Sequence, residues 1–160
     1  MKSDPLITYR RKPATLDQTG LQSFARILRD RVARGRDFHC RITNDAELRS
    51  LNAQFLGRDC ATDVLSFPGG SFPSRHGDSL GDIAISIQRA RAQAREWKHS
   101  AEDEIRILML HGLLHLLGMD HDADSGKMKR AEDRWRRALG LPNGLIERAG
   151  RRVKPRRVKQ

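Results

Sequence analysis

Apolar residues recur along this chain at two spacings, and the switch between them divides it into elements. Spacings of three and four predict helices. From Asp17 to Ala33 they bring Leu21, Phe24, Ile27, Leu28 and Val32 together, with Asp17 as N-cap and Gly35 as stop. Asn44 or Asp45 caps a second helix through about Phe55, with Leu48, Leu51 and Phe55 on one face. Gln88 to Lys98 is rich in strong helix formers and gives a third, with His99 at its end, where a cation suits the helix dipole. Ser100, followed three residues later by Asp103, has capping-box spacing. It opens a fourth helix that runs to Leu117, with Glu102, Asp103 and Glu104 in its first turn. Asp122 or Asp124 caps a fifth through Leu139, closed by Gly140 and Pro142.

Strand candidates fall between these helices. They are Leu6 to Arg11, Asp37 to Thr43, Thr62 to Phe67 and Leu80 to Ser86. In the second, Phe38, Cys40 and Ile42 alternate, so His39 and Arg41 face the other way, His39 as a surface or half-buried residue and not a ligand. In the fourth, Ile83, Ile85 and Ile87 alternate, and Asp82 is a carboxylate where strands seldom carry one. Gly69 to Ser79, which includes His76, reads as a loop able to rim a cleft. The expected class is α+β, a small sheet of about four strands covered by helices.

Composition narrows the picture. A chain of 160 residues makes one domain of ordinary size, and 32% charged with 38% apolar residues suits a soluble protein. No apolar run approaches the ~20 residues of a membrane span, and the first residues lack a signal-peptide core. Cys40 and Cys60 are not in C-x-x-C spacing and read as reduced thiols of a cytoplasmic protein. The net charge of +11 favours a polyanionic partner. From Arg148 onward there are seven basic residues and no acidic one, so much of the excess sits at the C-terminal end. Residues 1–141 are expected to form the domain and 142–160 a basic, disordered tail. Arg151, Arg152, Arg156 and Arg157 would meet RNA phosphates there without reading sequence. Aromatic residues are only 5% of the chain, so base stacking is not the expected mode.

The chemistry concentrates in thirteen residues, Leu110 to Asp122, which read L-H-G-L-L-H-L-L-G-M-D-H-D. His111 and His115 lie one helical turn apart on one face. Gly118 can end the helix and turn His121 back toward them. A lone histidine on an apolar helix is usually a hydrogen-bonded core residue. Two at this spacing, with a third after a helix-ending glycine, match the H-x-x-x-H-x-x-G-x-x-H plan of zinc sites. Three imidazoles with a fourth position open is the arrangement of a catalytic zinc, although three imidazoles also accept nickel or iron. Metalloproteases carry a glutamate after the first histidine as general base; here Gly112 stands there, so peptide hydrolysis is not expected.

The stretch H-G-L-L-H-L-L-G-M-D-H resembles the signature H-G-x-L-H-L-x-G-Y-D-H of the YbeY family, the bacterial rRNA maturation factors and single-strand endoribonucleases. Met119 replaces the usual Tyr. Leu51 to Pro68 (L-N-A-Q-F-L-G-R-D-C-A-T-D-V-L-S-F-P) resembles the family's L-N-x-x-Y-R-G-K-D-x-P-T-D-V-L-S-F-P, and Leu80 to Ser86 its L-G-D-I-x-I-S. The matches keep the family's order. The resemblance implies a mixed sheet, a zincin-like three-histidine site, a cleft beside the histidines and a buried hydrogen-bonding role for Asn52.

It also implies a function: a zinc-dependent endoribonuclease, with one zinc per chain on His111, His115 and His121. Such an enzyme matures the 3′ end of small-subunit rRNA and serves ribosome quality control, with rRNA, the small ribosomal subunit and ribosomal or assembly proteins as partners. Arg58 is a candidate for holding phosphate, and Arg58 and Asp82 are the candidate catalytic side chains, Asp82 also as a group orienting a ligand histidine. The family has an Arg where this chain has Leu56, which leaves the catalytic cation open. The competing expectation is a non-catalytic ribosome-assembly factor whose zinc is structural or vestigial, closed by Asp120 or Asp122 as fourth ligand. A degenerate metalloprotease is a third, weaker one.

Overall fold

A computed structural model describes residues 4–60, 62–69, 79–120, 123–142, 145–146 and 148. The chain runs β1 (Ile7–Tyr9), α1 (Gln18–Ile27), β2 (His39–Thr43), α2 (Asp45–Leu56), β3 (Val64–Pro68), β4 (Gly81–Ser86), α3 (Ile87–Trp97), α4 (Ala101–Leu116) and α5 (Lys127–Ala138). A π-helical turn, Leu28–Val32, continues α1. Four strands and a set of covering helices are what the apolar spacings predict.

Side-chain caps set most helix starts. Asp17 accepts from the N–H of Gly20 at 3.0 Å, Asn44 from Glu47 at 2.8 Å and Ser100 from Asp103 at 3.0 Å. Ser86, the last residue of β4, accepts from Arg89 at 3.2 Å, so α3 begins directly from the strand, one residue before Gln88. The fifth helix starts later than Asp122 or Asp124 would suggest. Asp124 still accepts from the N–H of Met128 at 3.0 Å, and Gly126, at φ +85°, precedes the first helical residue.

The sheet order is β1-β2-β4-β3, with β3 antiparallel to β4 and the other pairs parallel. Register sorts the side chains onto two faces. Cys40 pairs with Ile83, Ile42 with Ile85 and Ser66 with Ile83; these residues point to the face covered by α1, α4 and α5. His39 pairs with Asp82, and Phe67 with Asp82; these point to the face covered by α2, where Leu48, Leu65, Phe67 and Ala84 form a smaller apolar cluster. The main core is built around α4, whose Ile105, Leu108, Met109, Leu113 and Leu114 are fully buried. Burying each such side chain contributes about 1.5–3 kcal/mol, so α4 is anchored far more firmly than its propensity alone would allow. No helix among the described residues is long and apolar enough to cross a membrane.

Cys40 lies in the main core, where burial first and the charge of Asp82 second push its thiol well above the usual range; Cys60 is exposed. Beyond α5, Leu141, Leu145 and Ile146 pack on the main core. Arg148, expected to open a solvated tail, is 1% exposed. Its guanidinium donates to both carboxylate oxygens of Glu104, at 2.7 and 2.8 Å, and lies over the ring of Trp97. Full burial beside a buried carboxylate is the reason it departs from a solvated tail.

Candidate functional site

The site is built on the last two turns of α4. His111 and His115 lie one turn apart, as the spacing requires, and their Nε2 atoms are 3.2 Å apart. Each ring is held from behind. His111 Nδ1–H donates to Glu132 Oε2 of α5 at 2.7 Å, and His115 Nδ1–H donates to the carbonyl oxygen of Met119 at 3.0 Å. A carboxylate and a carbonyl can only accept, so both Nδ1 atoms carry protons, and in the neutral ring the Nε2 atoms are the nitrogens that can bind a metal. A single metal ion could take both Nε2 atoms as ligands at this separation. Two nitrogens at the zinc–nitrogen distance of about 2.0–2.1 Å on a tetrahedral centre stand about 3.3 Å apart, close to the observed separation. The two rings therefore fit a zinc, in the tautomer that a metal requires.

Gly118, at φ +90°, ends the helix behind these rings, and Met119 N–H and Gly118 N–H return to α4 carbonyls at 3.1 and 2.9 Å. This turn brings the Met119 carbonyl under His115. Met119, in place of the family's Tyr, serves here through its backbone. His121, the expected third ligand, and Asp122 lie outside the described residues, as do His76, Arg151, Arg152, Arg156 and Arg157.

The rings open into a cleft of about 620 Å³. Its walls come from the end of α2 and the loop that follows (Asn52, Leu56, Arg58, Cys60), from β3, and from Asp120. Gly57, at φ +68°, closes α2 and turns the chain so that Arg58 reaches this wall. Arg58 and the two histidines are thus brought to one cleft across more than fifty residues of sequence. Leu56, where the family carries Arg, is 50% exposed in the same wall. Asp120, a candidate fourth ligand, also lines the cleft.

Asp82 is placed elsewhere. It points to the α2 face of the sheet, while α4 covers the opposite face, and its Oδ1 lies 3.3 Å from His39 Nδ1. His39 Nε2 shares a hydrogen bond with the hydroxyl of Thr8 at 2.9 Å. The alternation of β4 is the physical reason: Ile83 and Ile85 face α4, so Asp82 cannot. His39 is 7% exposed, more deeply buried than a surface or half-buried residue, because it has these two partners. The carboxylate that orients a histidine is Glu132, which sequence reasoning missed. A signal was present: Met128, Ala131, Glu132 and Trp135 share one helical face, and a carboxylate on an apolar face needs a buried partner.

The sequence model of the family described as endoribonuclease YbeY matches residues 8–140. The chain belongs to the endoribonuclease YbeY family. It is 58% identical over 142 residues to the endoribonuclease YbeY of Solibacter usitatus, covering 89% of this chain and 92% of the relative. It is 40% identical over 149 residues to that of Koribacter versatilis, covering 93% and 95%. The solution structure of TM1509 from Thermotoga maritima matches with a TM-score of 0.50 at 26% identity, over 81% of this chain and 85% of that one. The YbeY family match contains α4, β3 and the loop bearing Arg58, and so the whole described cleft apart from Leu145.

Proposed function

We propose that this protein is a zinc-dependent endoribonuclease that cleaves single-stranded RNA in the cleft beside α4, and that its substrate is the 3′ region of small-subunit rRNA during maturation and quality control of the ribosome. Membership of the endoribonuclease YbeY family supports the reaction class. The observation that supports the metal is the convergence of the two Nε2 atoms, 3.2 Å apart, with both Nδ1 protons committed to acceptors. His111, His115 and His121 would hold one zinc per chain. When bound, the zinc supplies Lewis acidity to a phosphoryl oxygen or to water.

The chain's own residues have separable tasks. Glu132 keeps the His111 ring in one tautomer and one orientation. The Met119 carbonyl does the same for His115. Arg58, on the exposed wall, holds a phosphate as a bidentate donor. Gly112 offers no side chain for proton transfer. A basic C-terminal end adds attraction for the RNA backbone without sequence readout.

One observation favours the second reading, a non-catalytic assembly factor with a structural zinc: Leu56 puts an apolar side chain in the cleft where the family has a cation. Elemental analysis of the purified protein and of His115→Ala, followed by single-stranded RNA cleavage with both, separates the two. About one zinc per chain in the wild type, lost together with cleavage in the variant, supports the enzyme. Zinc lost with no cleavage in either sample selects the assembly factor. A wild type that takes up no metal even when zinc is supplied overturns the metal site.

A further inference from the structure

Asn52, on α2, is 3% exposed and forms part of the cleft wall. Its amide has a determined orientation. Nδ2 donates to the carbonyl oxygen of Cys60 at 3.1 Å and lies 3.4 Å from Cys60 Sγ. A carbonyl oxygen only accepts, so the nitrogen must face Cys60 and Oδ1 must face away from it. Oδ1 is buried and has no hydrogen-bond partner among the described residues. Buried acceptors are paired in the great majority of proteins, so an orphan on a residue of the cleft wall points to a missing donor.

The chemistry of that donor is constrained. Phosphate oxygens accept and never donate at neutral pH, so the group that satisfies Asn52 is not the phosphate that Arg58 would hold. The donors an RNA strand carries are the ribose 2′-hydroxyl and the N–H groups of its bases. We infer that Asn52 Oδ1 accepts a hydrogen bond from one of these nucleotide donors, and that Asn52 is a specificity residue of the cleft. The inference rests on the reading of the cleft as an RNA site. The structural task of the residue, holding the loop at Cys60, belongs to Nδ2 and leaves Oδ1 unexplained.

The test compares the wild type and Asn52→Ala on three short single strands of matched length, by equilibrium binding of the full chain at early times, before cleavage. One strand is unmodified RNA. The second has 2′-deoxyribose throughout. The third keeps ribose and carries purine bases stripped of amino and imino N–H groups. The wild type is expected to bind one of the modified strands about three- to tenfold more weakly than RNA, the range of a single neutral hydrogen bond. Asn52→Ala is expected to bind that strand and RNA alike. A penalty confined to the deoxy strand assigns the 2′-hydroxyl; one confined to the stripped strand assigns a base.

A variant that weakens all three strands by one common factor has only a structural role at this position and overturns the inference. So does a wild type that binds all three equally, a result that needs no variant to fold. A wild type that binds none of them overturns the RNA reading itself, which is a different failure.

Discussion

Gly112 rests directly on Ile83: a methyl group built on Gly112 would lie 2.8 Å from Ile83 Cγ2 and 3.1 Å from Ser66 Oγ. The position where metalloproteases carry their glutamate is thus a point of close approach between α4 and the sheet. Ser66 strengthens the contact by donating to the Gly112 carbonyl at 2.9 Å. Gly112→Ala gains about 1 kcal/mol of helix propensity. Overpacking against a fully buried β-branched side chain costs about 1–3 kcal/mol, and with β4 behind it Ile83 has little room to yield. The cost should win, lowering the melting temperature and shifting α4 with its two histidines. A Gly112→Ala protein as stable as the wild type would show that this contact is looser than the geometry indicates.

Glu132 offers the cleanest test of how the histidines are held. Its Oε2 accepts from His111, and its Oε1 accepts from the backbone N–H of Ile146 at 2.8 Å. Glu132→Gln keeps an acceptor for Ile146 and removes the charge behind His111. Losses of this kind lower metal affinity about 10–100-fold. Competition titration with a chromophoric zinc chelator should show that drop with little change in fold. Unchanged affinity would mean that Glu132 serves only the Ile146 contact.

Much of this architecture was legible in the apolar spacings because each strand presents one face to a core and alternates accordingly. Asp82 shows where that reading stops. Its register was readable, but which helix covers which face of the sheet depends on long-range topology, and no local pattern carries that. The buried ion pairs were hidden for a related reason. Glu104 reads as an ordinary first-turn acid, and only the fold brings Arg148 to it from 44 residues away. His99 reads as a helix-end cation, and it likewise bonds Glu104, at 2.6 Å. Ile27, expected among the core positions of the first helix, is 42% exposed, since it sits to one side of the buried face that Leu21, Ala25, Leu28 and Val32 share at spacings of three and four.

The Glu104–Arg148 pair ties the chain beyond α5 to the start of α4. Both groups are buried, so removing one leaves a charge without compensation. Arg148→Met should destabilise the protein by about 3–5 kcal/mol in urea unfolding. Adding Glu104→Leu should recover a large part of the loss, because the apolar pair carries no desolvation penalty. Recovery would be incomplete to the extent that His99 then lacks its acceptor. A single variant within 1 kcal/mol of the wild type would place Arg148 in solvent after all.

Acid sensitivity should have one identifiable source on the α2 side. Hydrogen bonds from Arg41, then the nearby charges of Arg41 and Arg10, hold the Glu47 carboxyl below its ordinary value. Arg10 donates to its Oε2 at 2.8 Å. A carboxyl with a lowered folded-state pKa contributes stability that is fully present above its unfolded value, near 4.5, and is lost as the pH falls through the folded one. The stability difference between wild type and Glu47→Gln should therefore be constant at neutral pH and shrink below about pH 4.5. A difference that stayed the same down to pH 3 would exclude the ion pairs as its cause.

Leu56 permits a gain-of-function experiment. It is half exposed and lies in the wall that carries Arg58, so Leu56→Arg should change stability by no more than about 0.5 kcal/mol. What it adds is a second guanidinium facing the same groove. If single-stranded RNA lies there, each new phosphate contact steepens the slope of log affinity against log salt by about 0.7. Binding at low salt should tighten accordingly, and the gain should fade as salt rises. The comparison needs no cleavage, so it tests the path of the strand separately from the chemistry at the histidines. Equal affinity and equal salt slope for Leu56→Arg and wild type would mean that RNA does not pass this wall, and Arg58 would lose its assigned role with it.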